Sequence, residues 1–177
     1  MTKKILIFLL SFFCIFYQHI QAKEDKKQKS ANNTLDAITT ATPILKTEDI
    51  RNFNIKIISF GYKYGVPVES NIIMDVNLLP NPHFDKELKE NNGFNLKVKN
   101  YILSSKITKQ FLDNLYKFLD STIPMYIKQE GGRNNLVIGI GCEGGTHRSV
   151  VIAEAVNKYL KERKYKVEVL HRDINKK

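Results

Sequence analysis

The stretch Leu136 to Val151 gathers the residue types with which this chain could do chemistry. It opens with apolar Leu136 to Ile140, short and bounded as a buried strand is. Gly141, Cys142, Glu143, Gly144 and Gly145 follow, then Thr146, His147, Arg148 and Ser149, after which a helical pattern begins. Strand, glycine-rich turn and helix gather free backbone N–H groups at one point, where the helix dipole adds positive potential. Gly144 and Gly145 let the backbone bend and approach a ligand closely. The Arg148 fork can grip a phosphate, and Thr146, His147 and Ser149 add donors around it. A plain tight turn would also favour glycine. The added Thr, His, Arg and Ser point instead to an anion site, most naturally for phosphate.

The same loop admits a rival chemistry. Cys142 and Arg148 have five residues between them, with Ser149 next. That spacing resembles the signature of cysteine-dependent phosphatases, in which a thiolate attacks phosphorus while loop N–H groups and the arginine hold its oxygens. The loop dipole and Arg148 would lower the Cys142 thiol pKa, as that chemistry needs. A general acid is also required. Asp113 and Asp120 are the nearest upstream acids, but both sit within a helical pattern, and Glu143 in the loop would repel a phosphate dianion.

The flanking pattern must position these groups. Asn54 to Phe60 alternates as a first strand and ends in the turn Gly61-Tyr62-Lys63-Tyr64-Gly65, where Lys63 could reach a sugar or phosphate. Ile72 to Val76 reads as a second strand with Asp75 and Asn77 at its end. Leu79-Pro80-Asn81-Pro82-His83 is a rigid loop, because its prolines fix the backbone and remove donors, and His83 is a candidate ligand contact. Phe84 to Asn92 is expected to be helical in part, and Leu96 to Leu103 to be a short amphipathic helix. From Ser105, the repeat Ile107, Phe111, Leu115, Leu119, Ile123 predicts a long amphipathic helix that Pro124 should kink or end. Gly131-Gly132-Arg133-Asn134 leads into the central strand. After the glycine loop, Ile152, Ala155, Val156, Tyr159 and Leu160 mark the buried face of another helix, and Val167 to Leu170 a last strand before His171-Arg172-Asp173. Alternating strands and helices predict an α/β fold with a mostly parallel sheet flanked by helices, whose ligands bind beyond the carboxyl ends of the strands.

Composition sets the surroundings. The 177 residues carry a formal charge of +10 with 42% hydrophobic residues, enough for one globular domain. Residues 1–22 read as a signal-peptide-like segment: Lys3 and Lys4, an apolar run from Ile5 to Tyr17, then Ile20-Gln21-Ala22 as a cleavage site. Cleavage after Ala22 is the first expectation and an uncleaved anchor the second, giving an exported or membrane-anchored protein. The protein is cytoplasmic if the segment does not function. Cleavage removes two lysines and no acid, so +10 falls to +8, and it leaves Cys142 as the sole cysteine. Residues 23–50 read as a polar flexible linker, with Thr47 to Asp49 able to cap a short turn, and residues 51–177 as the domain. The cluster Lys158, Lys161, Arg163 and Lys164, joined by Arg172, could contact RNA phosphates, although a solvated basic helix end has the same composition. Neither a metal site nor a cofactor is expected.

Several motifs recur in order: Ser59-Phe60-Gly61-Tyr62-Lys63-Tyr64-Gly65, then Asp75-Val76 and Leu79-Pro80-Asn81-Pro82-His83, then Gly93. Gly139-Ile140-Gly141-Cys142, Gly144-Gly145, His147-Arg148-Ser149-Val150, Ile152-Ala153-Glu154 and His171-Arg172-Asp173 complete the set. Through these, the span from about Ile55 to Asp173 resembles the C-terminal domain of the RapZ/YvcJ RNase adapter and nucleotide-binding family. The resemblance implies a fold like the sugar-phosphate-binding part of phosphofructokinase and a regulatory sensor of a phosphorylated amino sugar or nucleotide sugar, not a catalyst. It implies small RNA and an endoribonuclease as partners, allows a homo-oligomer, and places Thr146, His147 and Arg148 in the phosphate pocket with Lys63 and His83 near its rim. Three features depart from the family. No GxxxxGK[ST] pattern occurs, so nucleotide hydrolysis is not carried over. Asn77 stands where the family usually has arginine after Asp-Val, removing one anion contact. The signal-like start is foreign to a cytoplasmic regulator.

Overall fold

A computed structural model describes residues 50, 52–129 and 134–176, all within the unit Leu45–Lys177. The signal-like residues 1–22, the linker apart from Ile50, and Gly131 to Arg133 lie outside the described residues. Among the described residues, no helix is long and apolar enough to cross a membrane.

In chain order, the elements are β1 (Asn54–Gly61), β2 (Ile72–Asp75), α1 (Leu96–Ser104), α2 (Lys106–Lys128), β3 (Asn135–Cys142), α3 (Arg148–Glu162) and β4 (Lys166–His171). The strands form one four-stranded sheet in the order β2-β3-β1-β4, and every pairing is parallel. This is the expected α/β fold. The two central strands, β1 and β3, are buried almost throughout, which explains their near-continuous apolar runs. Edge strand β4 instead alternates half-buried and exposed positions. Register aligns Gly61 with Cys142, Asp75 with Gly141 and Ser59 with His171, so the strands finish together at one end of the sheet.

One face of the sheet carries the main core. Ile55 and Ile57 of β1 and Leu136, Ile138, Ile140 and Cys142 of β3 pack against Leu115, Leu119 and Ile123 of α2. Ile152, Ala153, Val156 and Leu160 of α3 complete this cluster. The four-residue spacing on α2 is the apolar stripe that makes it bury this face. Val151 of α3 turns away to a smaller cluster with Leu88, Val98 and Ile102, which seats α1. The side chain of Asn95 caps α1 by accepting from the Lys97 N–H at 2.9 Å. Helices α2 and α3 are tied at their polar edge as well. Tyr116 and Tyr159 stack at 3.7 Å, and Asp120 accepts from the Tyr159 hydroxyl at 2.7 Å and from Arg163 Nε at 2.9 Å.

Two local expectations are corrected. Pro124 does not end α2, which runs to Lys128. Tyr126 and Ile127 pack against the core beyond the proline, and this burial holds the last turn despite the missing N–H donor. Residues 84–92 form a short 3-10 turn, Pro82–Phe84, followed by turns and no α-helix. Here Asp85 accepts from the Glu87 N–H at 2.8 Å and Asn92 from the Phe94 N–H at 3.0 Å. These side chains capture the backbone donors a helix would use.

Candidate anion-binding site

The turn between β3 and α3 lies at the carboxyl end of the sheet, with Glu143 exposed, Gly144 and Thr146 half-buried and Gly145 buried. Asn77 fixes where it starts: its side-chain oxygen accepts from the Glu143 N–H at 2.9 Å, while its own N–H donates to Asp75 Oδ1 at 2.8 Å. Asn77 thus braces the loop from the end of the neighbouring strand. From the other side, the Lys63 N–H donates to the Glu143 carbonyl at 3.2 Å. The Lys63 ammonium lies over the Tyr64 ring, 4.8 Å from its centroid.

Gly145 has φ +74°, and an added Cβ would stand 2.6 Å from the Gly61 nitrogen and 2.9 Å from the Asp173 Cβ. Glycine is needed there because the chain packs against itself, a different reason from the ligand approach that the sequence suggested. Gly144, by contrast, has only Thr146 Oγ1 near an added Cβ, at 3.8 Å. Beneath Gly145, the fully buried Asp173 accepts from the Gly61 N–H at 2.8 Å, from Arg172 Nη2 at 2.7 Å and from Lys176 Nζ at 2.8 Å. Burial pushes the Asp173 carboxyl up, but Arg172, the Gly61 N–H and Lys176 together outweigh it and hold the pKa at about 2. Arg172 also donates to the Gly65 carbonyl at 2.6 Å, so its guanidinium clasps the β1 turn inside the domain.

Among the described residues, no acceptor meets the N–H groups of Gly144, Gly145, Thr146, His147, Arg148 or Ser149, and no side chain caps α3. These donors sit at the positive end of a fifteen-residue helix. The buried Arg148 Nε beside them also has no partner among the described residues. The other arm of Arg148 donates from Nη1 to the carbonyls of Asn77 at 2.6 Å and Leu79 at 3.4 Å, which fixes the guanidinium and the proline loop together. His147 Nδ1 lies 3.3 Å from Thr146 Oγ1. Burial lowers the His147 pKa most; the carbonyls of Asn91 and Lys89 oppose this, and His83 and Arg148 add to it. His83 itself is exposed in the 3-10 turn Pro82–Phe84. The arrangement can hold an anion by backbone N–H groups, with the buried Arg148 guanidinium behind them.

The Cys142 thiol sits buried at the base of the loop. It is 2% exposed, belongs to the core under α3 and donates to Ser149 Oγ at 3.2 Å. Asp120 is engaged by Tyr159 and Arg163 on α2 and α3, so it is placed as a brace between helices. Of the basic side chains at the end of α3, Lys158, Lys161 and Lys164 are exposed, while Arg163 pairs with Asp120 and lies over the Tyr159 ring at 3.6 Å.

A sequence profile of the RapZ C-terminal domain matches residues 53–175. The chain belongs to the RapZ C-terminal domain family. Among its relatives, a protein named nucleotide-binding protein from Clostridium botulinum (strain Hall) is 46% identical over 121 residues, covering 68% of this chain and 40% of the relative. A namesake from Limosilactobacillus reuteri is 46% identical over 125 residues, covering 71% of this chain and 42% of its own length. One from Alkaliphilus oremlandii is 40% identical over 161 residues, covering 86% and 54% respectively. The chain therefore spans between two-fifths and about half of these relatives. For this RapZ C-terminal domain, sequence reasoning missed the bracing role of Asn77 and the hub at Asp173. The signals were present: Asn77 one residue beyond Asp75-Val76, and an acid directly after His171-Arg172 at a strand end. Both are polar groups where strands finish, and only the register reveals what they meet.

Proposed function

We propose that this domain is a regulatory module that reversibly binds a phosphorylated amino sugar or nucleotide sugar, with the phosphate seated on the Gly144 to Ser149 loop. The observation that carries this reading is the run of N–H donors without an acceptor among the described residues, backed by Arg148 Nε. Thr146, Lys63 and His83 then line the rim. The naming of the relatives as nucleotide-binding proteins supports a nucleotide-type ligand. Coupling to small RNA and an endoribonuclease is the next layer, drawn from the family resemblance. Its contacts would fall to Lys158, Lys161 and Lys164, because Arg163 and Arg172 already hold internal partners. Export through residues 1–22 would separate the domain from RNA, and cell fractionation distinguishes these alternatives.

The test is calorimetric titration of the full chain with glucosamine 6-phosphate and with UDP-N-acetylglucosamine, beside Arg148→Lys. Saturable binding, weakened at least about tenfold in the variant, supports the sensor, because a lysine cannot serve both the carbonyls and the anion. Absence of binding with either ligand overturns it. Release of inorganic phosphate that disappears in Cys142→Ser replaces it with the phosphatase reading.

A further inference from the structure

We propose that Phe94 is a stacking platform for a planar heterocyclic base, so that the site receives the nucleotide end of its ligand. This rests on the anion-site reading above and adds to it the residue that recognises what the phosphate carries.

Phe94 begins one residue from the loop. The Gly93 N–H donates to the Thr146 carbonyl at 2.8 Å, and a Cβ added at Gly93 would stand 2.8 Å from the His147 carbonyl and 2.6 Å from the Val150 Cβ. Only glycine allows this approach, so residue 94 is pinned to the start of α3. Its backbone is also held on both sides. The Phe94 N–H donates to Asn92 Oδ1 at 3.0 Å, and Asn95 caps α1. The ring nevertheless remains 48% exposed. It meets the His171 ring nearly perpendicularly at 5.0 Å, and His171 is fixed at both nitrogens, by Ser59 Oγ at 2.8 Å and Glu154 Oε1 at 3.2 Å. The Lys99 ammonium lies 5.6 Å from the Phe94 centroid. An anchored, half-exposed ring with a lysine over it, beside a phosphate cradle, suits a base whose phosphate points into the loop. Every base offers a π-face, and a phenyl ring loses little rotamer freedom on stacking. Phe84 is the natural comparison. It is 84% exposed, but among the described residues its ring meets only His83, at 6.2 Å, so nothing anchors it as a wall.

The experiment titrates the full chain with uridine 5′-monophosphate and with ribose 5-phosphate, which share a phosphoribosyl group and differ in the base. Wild type is expected to bind the uridine compound about tenfold more tightly. Phe94→Ala should erase that advantage while keeping the affinity for ribose 5-phosphate, Phe94→Trp should preserve it, and Phe84→Ala should leave both affinities unchanged. Equal affinities in wild type overturn the proposal while leaving the anion site standing. So does a parallel loss of both ligands in Phe94→Ala, which would make the ring a support for the loop, or a loss of the advantage in Phe84→Ala. If inorganic phosphate and both ligands fail to bind, the anion-site reading falls and this proposal with it.

Discussion

At Asp173, one buried carboxylate joins the end of β1, the segment after β4 and the underside of the Gly145 turn. Replacing it by asparagine leaves Arg172 and Lys176 facing a neutral group, and the expected cost is roughly 3 kcal/mol in denaturant unfolding. The pH dependence follows from the same contacts. The folded pKa of about 2 lies below the ordinary 3.8, so this contribution is complete above the ordinary value and is lost as pH falls through the folded one. Acid titration of unfolding should therefore show a loss in wild type, between about pH 4 and 2, that Asp173→Asn lacks. Gly145→Ala tests the neighbouring contact. With φ +74° and the Gly61 nitrogen 2.6 Å from the new methyl group, it should lower stability by about 2 kcal/mol and the melting temperature with it.

Among the elements, α3 does two jobs, presenting donors at its start and closing against α2 at its end. Its exit is strained: Lys164 has φ +69°, with the Tyr165 N–H returning to the Leu160 carbonyl at 3.2 Å. Lys164→Gly should relieve the left-handed backbone and raise stability by about 1 kcal/mol, read as a higher melting temperature. The elements themselves were legible in the sequence wherever periodicity was strong. Leu136 to Ile140 read as a buried strand because an apolar run of that length fits a central parallel strand, Asn54 to Phe60 read as a strand by alternation, and the stripe Leu115, Leu119, Ile123 marked α2. Pro124 misled because tertiary burial of Tyr126 and Ile127 overrides a local penalty. Residues 84–92 misled because their Asp and Asn side chains compete for N–H groups at a range that helical periodicity does not register. The loop was visible as a cradle of glycines, but the partners of its side chains were not. That Arg148 reaches Asn77 and Cys142 faces the core depends on strand order β2-β3-β1-β4, which no local pattern encodes.

Across the described domain, the strand ends gather the candidate anion site at one end, and Lys158, Lys161 and Lys164 stand exposed toward the far end of α3. If RNA binds there, the triple change of Lys158, Lys161 and Lys164 to Gln should reduce the slope of log K against log salt by about 2 for a single strand, as measured by fluorescence anisotropy. An unchanged slope would move the RNA contacts elsewhere or remove them. We propose above that the N–H groups of Gly144 to Ser149 are the phosphate donors. The most direct test is an amide NMR titration of the full chain with glucosamine 6-phosphate and, separately, with inorganic phosphate. Saturable shifts concentrated on the amides of residues 144–149, common to both ligands, are expected. Shifts that miss this loop, or no saturable shift with either compound, would contradict the proposal.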